Sequence, residues 1–204
     1  MGVPIQYRKS GEEAIASYSF TDIITGLGYV DFYMSTTNDS GSNVYMLNTN
    51  QNPTNSEYTS KEIPDGTSDS LDIDFDSSGF NYPRVIGGDA IILIPWTIQY
   101  SGDVDVSSAT CNIYKWDGTT ETLLGTETTG NITPGVSLTR REVVFKIPIS
   151  DTLFKIGDKI RVNIILAGTE QGTGAMYVIL YHDPLTAAAT GKTLKISIPF
   201  RIDL

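Results

Sequence analysis

Leu194-Lys195-Ile196-Ser197-Ile198-Pro199-Phe200-Arg201-Ile202-Asp203-Leu204 alternates apolar and non-apolar side chains without a break. Successive side chains of a strand point to opposite faces of its sheet, so Leu194, Ile196, Ile198, Phe200, Ile202 and Leu204 share one face. The same period of two recurs through most of the chain. It predicts strands over residues 14–20, 28–34, 43–47, 70–76, 90–100 and 109–116, then 122–126, 142–149, 159–167, 175–182 and 193–204. Asp65-Gly66, Ser101-Gly102-Asp103, Asp117-Gly118 and Gly157-Asp158 supply the turns between them. Asp117-Gly118 is the clearest hairpin. No convincing helix is present, since 11–15 and 186–189 allow one turn each at most. The pattern predicts an all-β fold: an antiparallel β-sandwich of the jelly-roll type with little or no helix.

The chain has 204 residues, 40% of them hydrophobic, enough for a sizeable core in a single β domain. Residues 14–204 are expected to form that domain, with 1–13 as an extended arm. Segments 36–42 and 48–60, rich in Asn, Thr and Ser, read as exposed loops rather than linkers. One cysteine, Cys111, permits no disulfide within the chain and sits in a strand-like run as a small apolar filler. Residues 1–10 lack the apolar stretch of a secretory signal. The apolar runs 90–96 and 162–167 are too short for a membrane-crossing helix.

Net charge is -10 and unevenly placed. Residues 11–83 hold twelve acids and one base, Lys61; residues 140–204 hold nine bases and six acids. Phosphate binding needs clustered positive charge, so the acidic half argues against nucleic acid as a partner. Solubility explains such acidity, as does a basic partner at one end of the molecule.

Chemistry-bearing side chains are scarce. His182 is the only histidine and ends a strand before Asp183-Pro184, where it reads as a turn residue. No Gly-x-Ser-x-Gly elbow presents a nucleophile, and one His with one Cys cannot build the common zinc sites. Gly168-Thr169-Glu170-Gln171-Gly172-Thr173-Gly174 lacks the P-loop lysine and precedes a strand. No catalytic residue, cofactor or enzyme activity is therefore expected. Asp72, Asp74 and Asp76 imitate the start of a calcium loop. Ser77 then replaces the required glycine, and Pro83 stands where the bidentate Glu belongs. On a strand these three aspartates form the solvent face opposite Leu71, Ile73 and Phe75, with a weak surface Ca²⁺ site as the alternative. Among the aromatic residues, Tyr58, Phe80 and Tyr82 fall in loop-like segments and are the candidates for stacking on a sugar.

One resemblance adds to this reading. It is carried by three stretches: Tyr114-Lys115-Trp116-Asp117-Gly118-Thr119-Thr120-Glu121-Thr122-Leu123-Leu124-Gly125, Arg141-Glu142-Val143-Val144-Phe145-Lys146-Ile147-Pro148-Ile149, and Phe154-Lys155-Ile156-Gly157-Asp158-Lys159-Ile160-Arg161-Val162. Together they resemble jelly-roll structural proteins of tailed-virus virions, of the head-decoration or minor-capsid kind, over about residues 84–204. The resemblance implies a non-enzymatic virion protein, made in the host cytoplasm. It would be a homo-oligomer, a trimer for preference, bound to capsid or tail proteins and to no membrane. Val3, Ile5, Tyr7, Arg8 and Lys9 of the arm, with Arg140, Arg141, Lys159 and Arg161, are the candidate interface residues. The alternative on the same fold is a carbohydrate-binding module or receptor-binding adhesin.

Overall fold

The computed structural model describes residues 27–39, 43–50, 58–100, 106–133, 138–171, 174–182 and 194–201. Within them lie eleven strands: β1 (Leu27–Asn38), β2 (Val44–Asn48), β3 (Tyr58–Ile63), β4 (Ser68–Ser77), β5 (Arg84–Tyr100) and β6 (Val106–Trp116), followed by β7 (Glu121–Thr128), β8 (Leu138–Phe154), β9 (Lys159–Thr169), β10 (Met176–Tyr181) and β11 (Lys195–Arg201). No helix occurs among the described residues. The fold is the all-β sandwich of jelly-roll type that the alternation predicts. Predicted strand 14–20 and the arm residues Val3, Ile5, Tyr7, Arg8 and Lys9 lie outside the described residues.

β5 organises one layer. β8 pairs antiparallel along nearly its whole length, from Arg84↔Phe154 to Gln99↔Leu138. On its other side β5 pairs β11 over Ile86–Leu93 and β10 over Trp96–Tyr100. β11 then carries β1, and β10 carries β3. The second layer runs β4–β9–β6–β7. β2 joins the layers, antiparallel to β1 but parallel to β4, so one pair departs from the expected antiparallel pattern. β3 is a further departure. Residues 58–60 fall in the segment 48–60 expected as an exposed loop, yet Tyr58–Ile63 pairs with β10 as an edge strand. Backbone hydrogen bonds and an exposed outer side suffice for an edge, without hydrophobic alternation.

The core lies between the layers. Leu71, Ile73 and Phe75 of β4, Ala109, Cys111 and Ile113 of β6, and Ile160, Val162, Ile164 and Leu166 of β9 face Ala90, Ile92, Ile94, Trp96 and Ile98 of β5. Phe145, Ile147, Val178, Leu180, Ile196 and Ile198 complete the facing side. Each fully buried aliphatic or aromatic side chain contributes about 1.5–3 kcal/mol, and this row is what holds the sheets together. At one seam β7 closes on β8: a Cβ at Gly125 would stand 2.6 Å from Ile147 Cγ2 and 2.9 Å from the Pro148 carbonyl oxygen. Only glycine fits there.

The predicted β6–β7 hairpin forms as expected. Gly118 has a φ of 96°, and Asp117 Oδ1 accepts hydrogen bonds from Thr119 N at 2.9 Å and Thr120 N at 2.7 Å. These backbone donors hold the Asp117 carboxyl below its usual range. The turn delivers Glu121 opposite Trp116, at one end of the second layer's outer face.

Candidate functional site

Alternation sends Leu71, Ile73 and Phe75 inward, so Asp72 and Asp74 must point outward from β4. Across the sheet the register sets them opposite Ile165 and Asn163 of β9; Asn112 of β6 stands opposite Asn163, and Tyr114 follows it opposite Arg161. With Asn43 and Glu121 these side chains line an open trough of about 400 Å³. Its floor is a hydrogen-bonded ladder. Asn163 Nδ2 donates to Asp72 Oδ1 at 2.5 Å and to Asp74 Oδ1 at 2.9 Å. Asn112 Nδ2 donates to Asn163 Oδ1 at 2.9 Å, and Thr126 Oγ1 to Asn112 Oδ1 at 2.6 Å. Four strands thus hold each other's side chains in place.

Arg161 bounds the trough. Its Nε and Nη2 grip Asp76 at 2.6 and 2.7 Å, its Nη1 meets Glu121 Oε1 at 2.5 Å, and its guanidinium lies 4.6 Å from the Trp116 ring centroid. Such a planar fork matches a carboxylate bidentately and stacks on an indole at once. The Asp76 hydrogen bonds push the Arg161 pKa still higher, so its charge is permanent. Within the trough the electrostatics run the other way. Burial pushes the Asp74 carboxyl up, and Asp72 and Glu121 add to it against the pull of Asn163 and Arg161. Burial, then Glu121, Asp74 and Asp72, push the Tyr114 phenol up likewise.

The three aspartates therefore do not share one fate. Asp72 is exposed and Asp74 half-buried, whereas Asp76 is only 3% exposed and committed to Arg161. Among the described residues, no group of three or more His, Cys, Asp or Glu is placed to hold a metal ion. Of the basic candidates, Arg161 is taken by Asp76, and Lys159 Nζ reaches Asp39 Oδ2 at 2.9 Å. Arg140 is exposed at the Thr97 register of β8, while Arg141, beside Trp96, has its Nε buried with no partner. The aromatic candidates are dispersed. Tyr58 opens β3 against Tyr181, and Tyr82 is exposed between β4 and β5. Phe80 packs edge-on against Phe154 and Phe200 at 5.4 and 6.0 Å, where it closes the end of the core.

Glu121, Asn112 and Asn163 escape the sequence reading as site residues. One signal pointed to Asn163: it is the only polar residue in Val162-Asn163-Ile164-Ile165-Leu166, and a buried polar side chain needs partners. The single histidine and cysteine sit elsewhere. His182 is fully buried, with Nδ1 3.0 Å from the Ser35 carbonyl and Nε2 2.8 Å from Thr59 Oγ1. A carbonyl only accepts, so Nδ1 carries a proton toward Ser35; Thr59 Oγ1 then donates to Nε2 when the ring is neutral and accepts from it when the ring is charged. Tyr45 and Phe75 flank the imidazole at 4.9 and 5.4 Å. Cys111 is buried in the core, and desolvation pushes its thiol pKa far up.

Neither a protein-family model nor a curated protein sequence matches the chain. Solved structures do. An aminopeptidase from the marine sediment archaeon Thaumarchaeota archaeon is similar over 87% of this chain, with a TM-score of 0.56 and 9% identity. An α-amino acid ester hydrolase is similar over 85%, with a TM-score of 0.55 and 8% identity. The matched portion is 37% and 36% of those two proteins, so this chain spans little more than a third of either. At such identity the likeness is one of fold, and the fold is the jelly-roll β-sandwich.

Proposed function

We propose that this chain is a non-enzymatic carbohydrate-binding module whose ligand surface is the outer face of β4–β9–β6–β7. The trough carries this reading. Its volume of about 400 Å³ is in the range of small-ligand sites. Its walls are carboxylates, carboxamides and a phenol, the side chains that pair with sugar hydroxyls. The Asn163 ladder fixes them in advance, which lowers the ordering cost of binding. The burial of His182 and Cys111 supports a binding role over a catalytic one, since each is the chain's sole imidazole or thiol. A glycan array probed with the wild type and two variants tests this. Signal lost in Asn112→Ala and kept in Tyr82→Ala is expected. An array with no signal for the wild type sinks the reading, and loss in Tyr82→Ala alone moves the site to the loop.

A second reading, a virion structural protein attached to a capsid or tail lattice, draws on the opposite face. There Val144 is 63% and Ile91 44% exposed on β8 and β5, with Leu153 and Ile156 exposed at the β8–β9 end. Light scattering over a concentration series should then give a closed homo-oligomer, a trimer for preference. A strict monomer at every concentration removes the self-assembly part.

A further inference from the structure

We infer that β8 is a self-association edge, pairing antiparallel with the β8 of a second copy about a two-fold axis through Val144. β5 pairs with β8 on one side, from Arg84↔Phe154 to Gln99↔Leu138. On its other side no described strand pairs with it. At 17 residues this is a long edge, and an open edge is a template for another chain. Pro148 sets its phase. A proline fits a ladder only with its missing N–H turned to the free side. Backbone direction alternates along a strand, so Glu142, Val144 and Lys146 also turn their N–H and C=O groups away from β5. At Pro148 the edge ends, because Gly125 of β7 packs against that residue's carbonyl oxygen.

The side chains choose the occupant. Phe145 and Ile147 point into the core and Val143 packs against it, so Glu142, Val144 and Lys146 stand on the outer face. Val144 is 63% exposed, Lys146 pairs with Asp89 at the surface, and Glu142 is exposed with no partner among the described residues. Acid, apolar and base at alternate positions are their own complement in the antiparallel sense. With Val144 opposite the partner's Val144, Glu142 faces the partner's Lys146 and Lys146 faces the partner's Glu142. Moving the axis by two residues sets Glu142 against the partner's Glu142, or Lys146 against the partner's Lys146. Charge therefore fixes the register. A lysine on an edge ordinarily discourages pairing, and here the same strand supplies its counter-charge. The pairing adds about six backbone hydrogen bonds over Glu142–Lys146. Such a contact is smaller than the roughly 1,600 Å² of a standard interface, so the dimer is weak and concentration-dependent. The axis stands perpendicular to the sheet, so the outer faces of β4–β9–β6–β7 in both copies point the same way. On the binding reading above, the dimer is then bivalent.

Sedimentation velocity of the full chain from about 10 μM to about 1 mM tests this. The expected result is a monomer–dimer equilibrium. Glu142→Lys and Lys146→Glu should each weaken it about tenfold or more, by setting like charges opposite each other. The double reversal, Glu142→Lys with Lys146→Glu, should recover most of that loss, because the pairs are remade with their signs exchanged. Both side chains are exposed, so the variants should keep the fold, which far-UV circular dichroism checks. A monomer at every concentration overturns the inference, and so does a closed trimer. A dimer indifferent to both single reversals, or a double reversal no tighter than the single ones, overturns it as well. The glycan array reads the trough alone, so the failure of either reading is seen separately.

Discussion

The two outer faces of this sandwich use charge in opposite ways. On β4–β9–β6–β7 the polar side chains are linked: Asp72, Asp74, Asn163, Asn112 and Thr126 form one ladder, with Asp76, Arg161 and Glu121 at its rim. On β8–β5–β11–β1 they stand in separate pairs, Lys146 with Asp89 at 2.8 Å and Lys195 with Asp31 at 2.9 Å. Between those pairs lie Ile91 and Val144. Even at Asp31, where burial raises the carboxyl pKa, the hydrogen bonds from Ser197 and Lys195 win and lower it. At Asp74 the same contest goes the other way. An isolated pair settles its own charge locally, whereas in the linked network Asp74, Asp76 and Glu121 share the Arg161 guanidinium and Asp74 is left with the weakest hold on it.

The largest expected effect separates a buried pair from an exposed one. Arg161→Ala strips the buried Asp76 of its two hydrogen bonds from the guanidinium, leaving Lys159 Nζ at 3.8 Å as its remaining cation, and should cost about 3–5 kcal/mol in denaturant unfolding. Lys146→Ala, on the other face, should cost about 0–1 kcal/mol, as exposed pairs do. Equal costs would break the comparison.

A middle effect tests the ladder itself. Asn163→Ala removes the donor shared by Asp72 and Asp74 and should destabilise by about 1–3 kcal/mol. Losing that hydrogen bond should also raise the Asp74 pKa further, which NMR titration of its carboxyl would read. An unchanged titration would mean that the ladder does not hold this carboxylate.

The smallest effect is one of pH. Asp74 has a folded-state pKa above its ordinary 3.8, so its contribution to stability is present below that value and is lost as pH rises through the folded value. Asp74→Asn keeps an oxygen for Asn163 and drops the charge. It should therefore be the more stable form at neutral pH, by about 1 kcal/mol or less after solvent screening, with the advantage fading in acid. A wild type more stable than the variant at neutral pH would refute the sign.

Much of the fold was legible because buried strands announce themselves by period. Residues 70–76, 109–116 and 159–167 alternate, and β4, β6 and β9 cover them. Legibility stopped where burial did not set the pattern. β3, at an edge, shows no apolar alternation, and β5 runs on through Gly87-Gly88 to Arg84, past a register shift. For the site, Asp72 and Asp74 were visible as outward residues of an alternating strand. Their partners were not, since Asn163 lies 91 and 89 positions away and Asn112 another 51 from Asn163.

By itself the sequence determined the all-β class, the β6–β7 turn and which side of each core strand faces inward. These follow from local chemistry: period two, Asp-Gly at a left-handed turn position, and the segregation of apolar side chains. Only the tertiary structure decided that Asp76 belongs to Arg161, that Phe80 is core packing, and that Asp72, Asp74 and Glu121 border one cavity. Pair identity depends on strand order and register, and those are chosen by the whole sandwich burying its core at once.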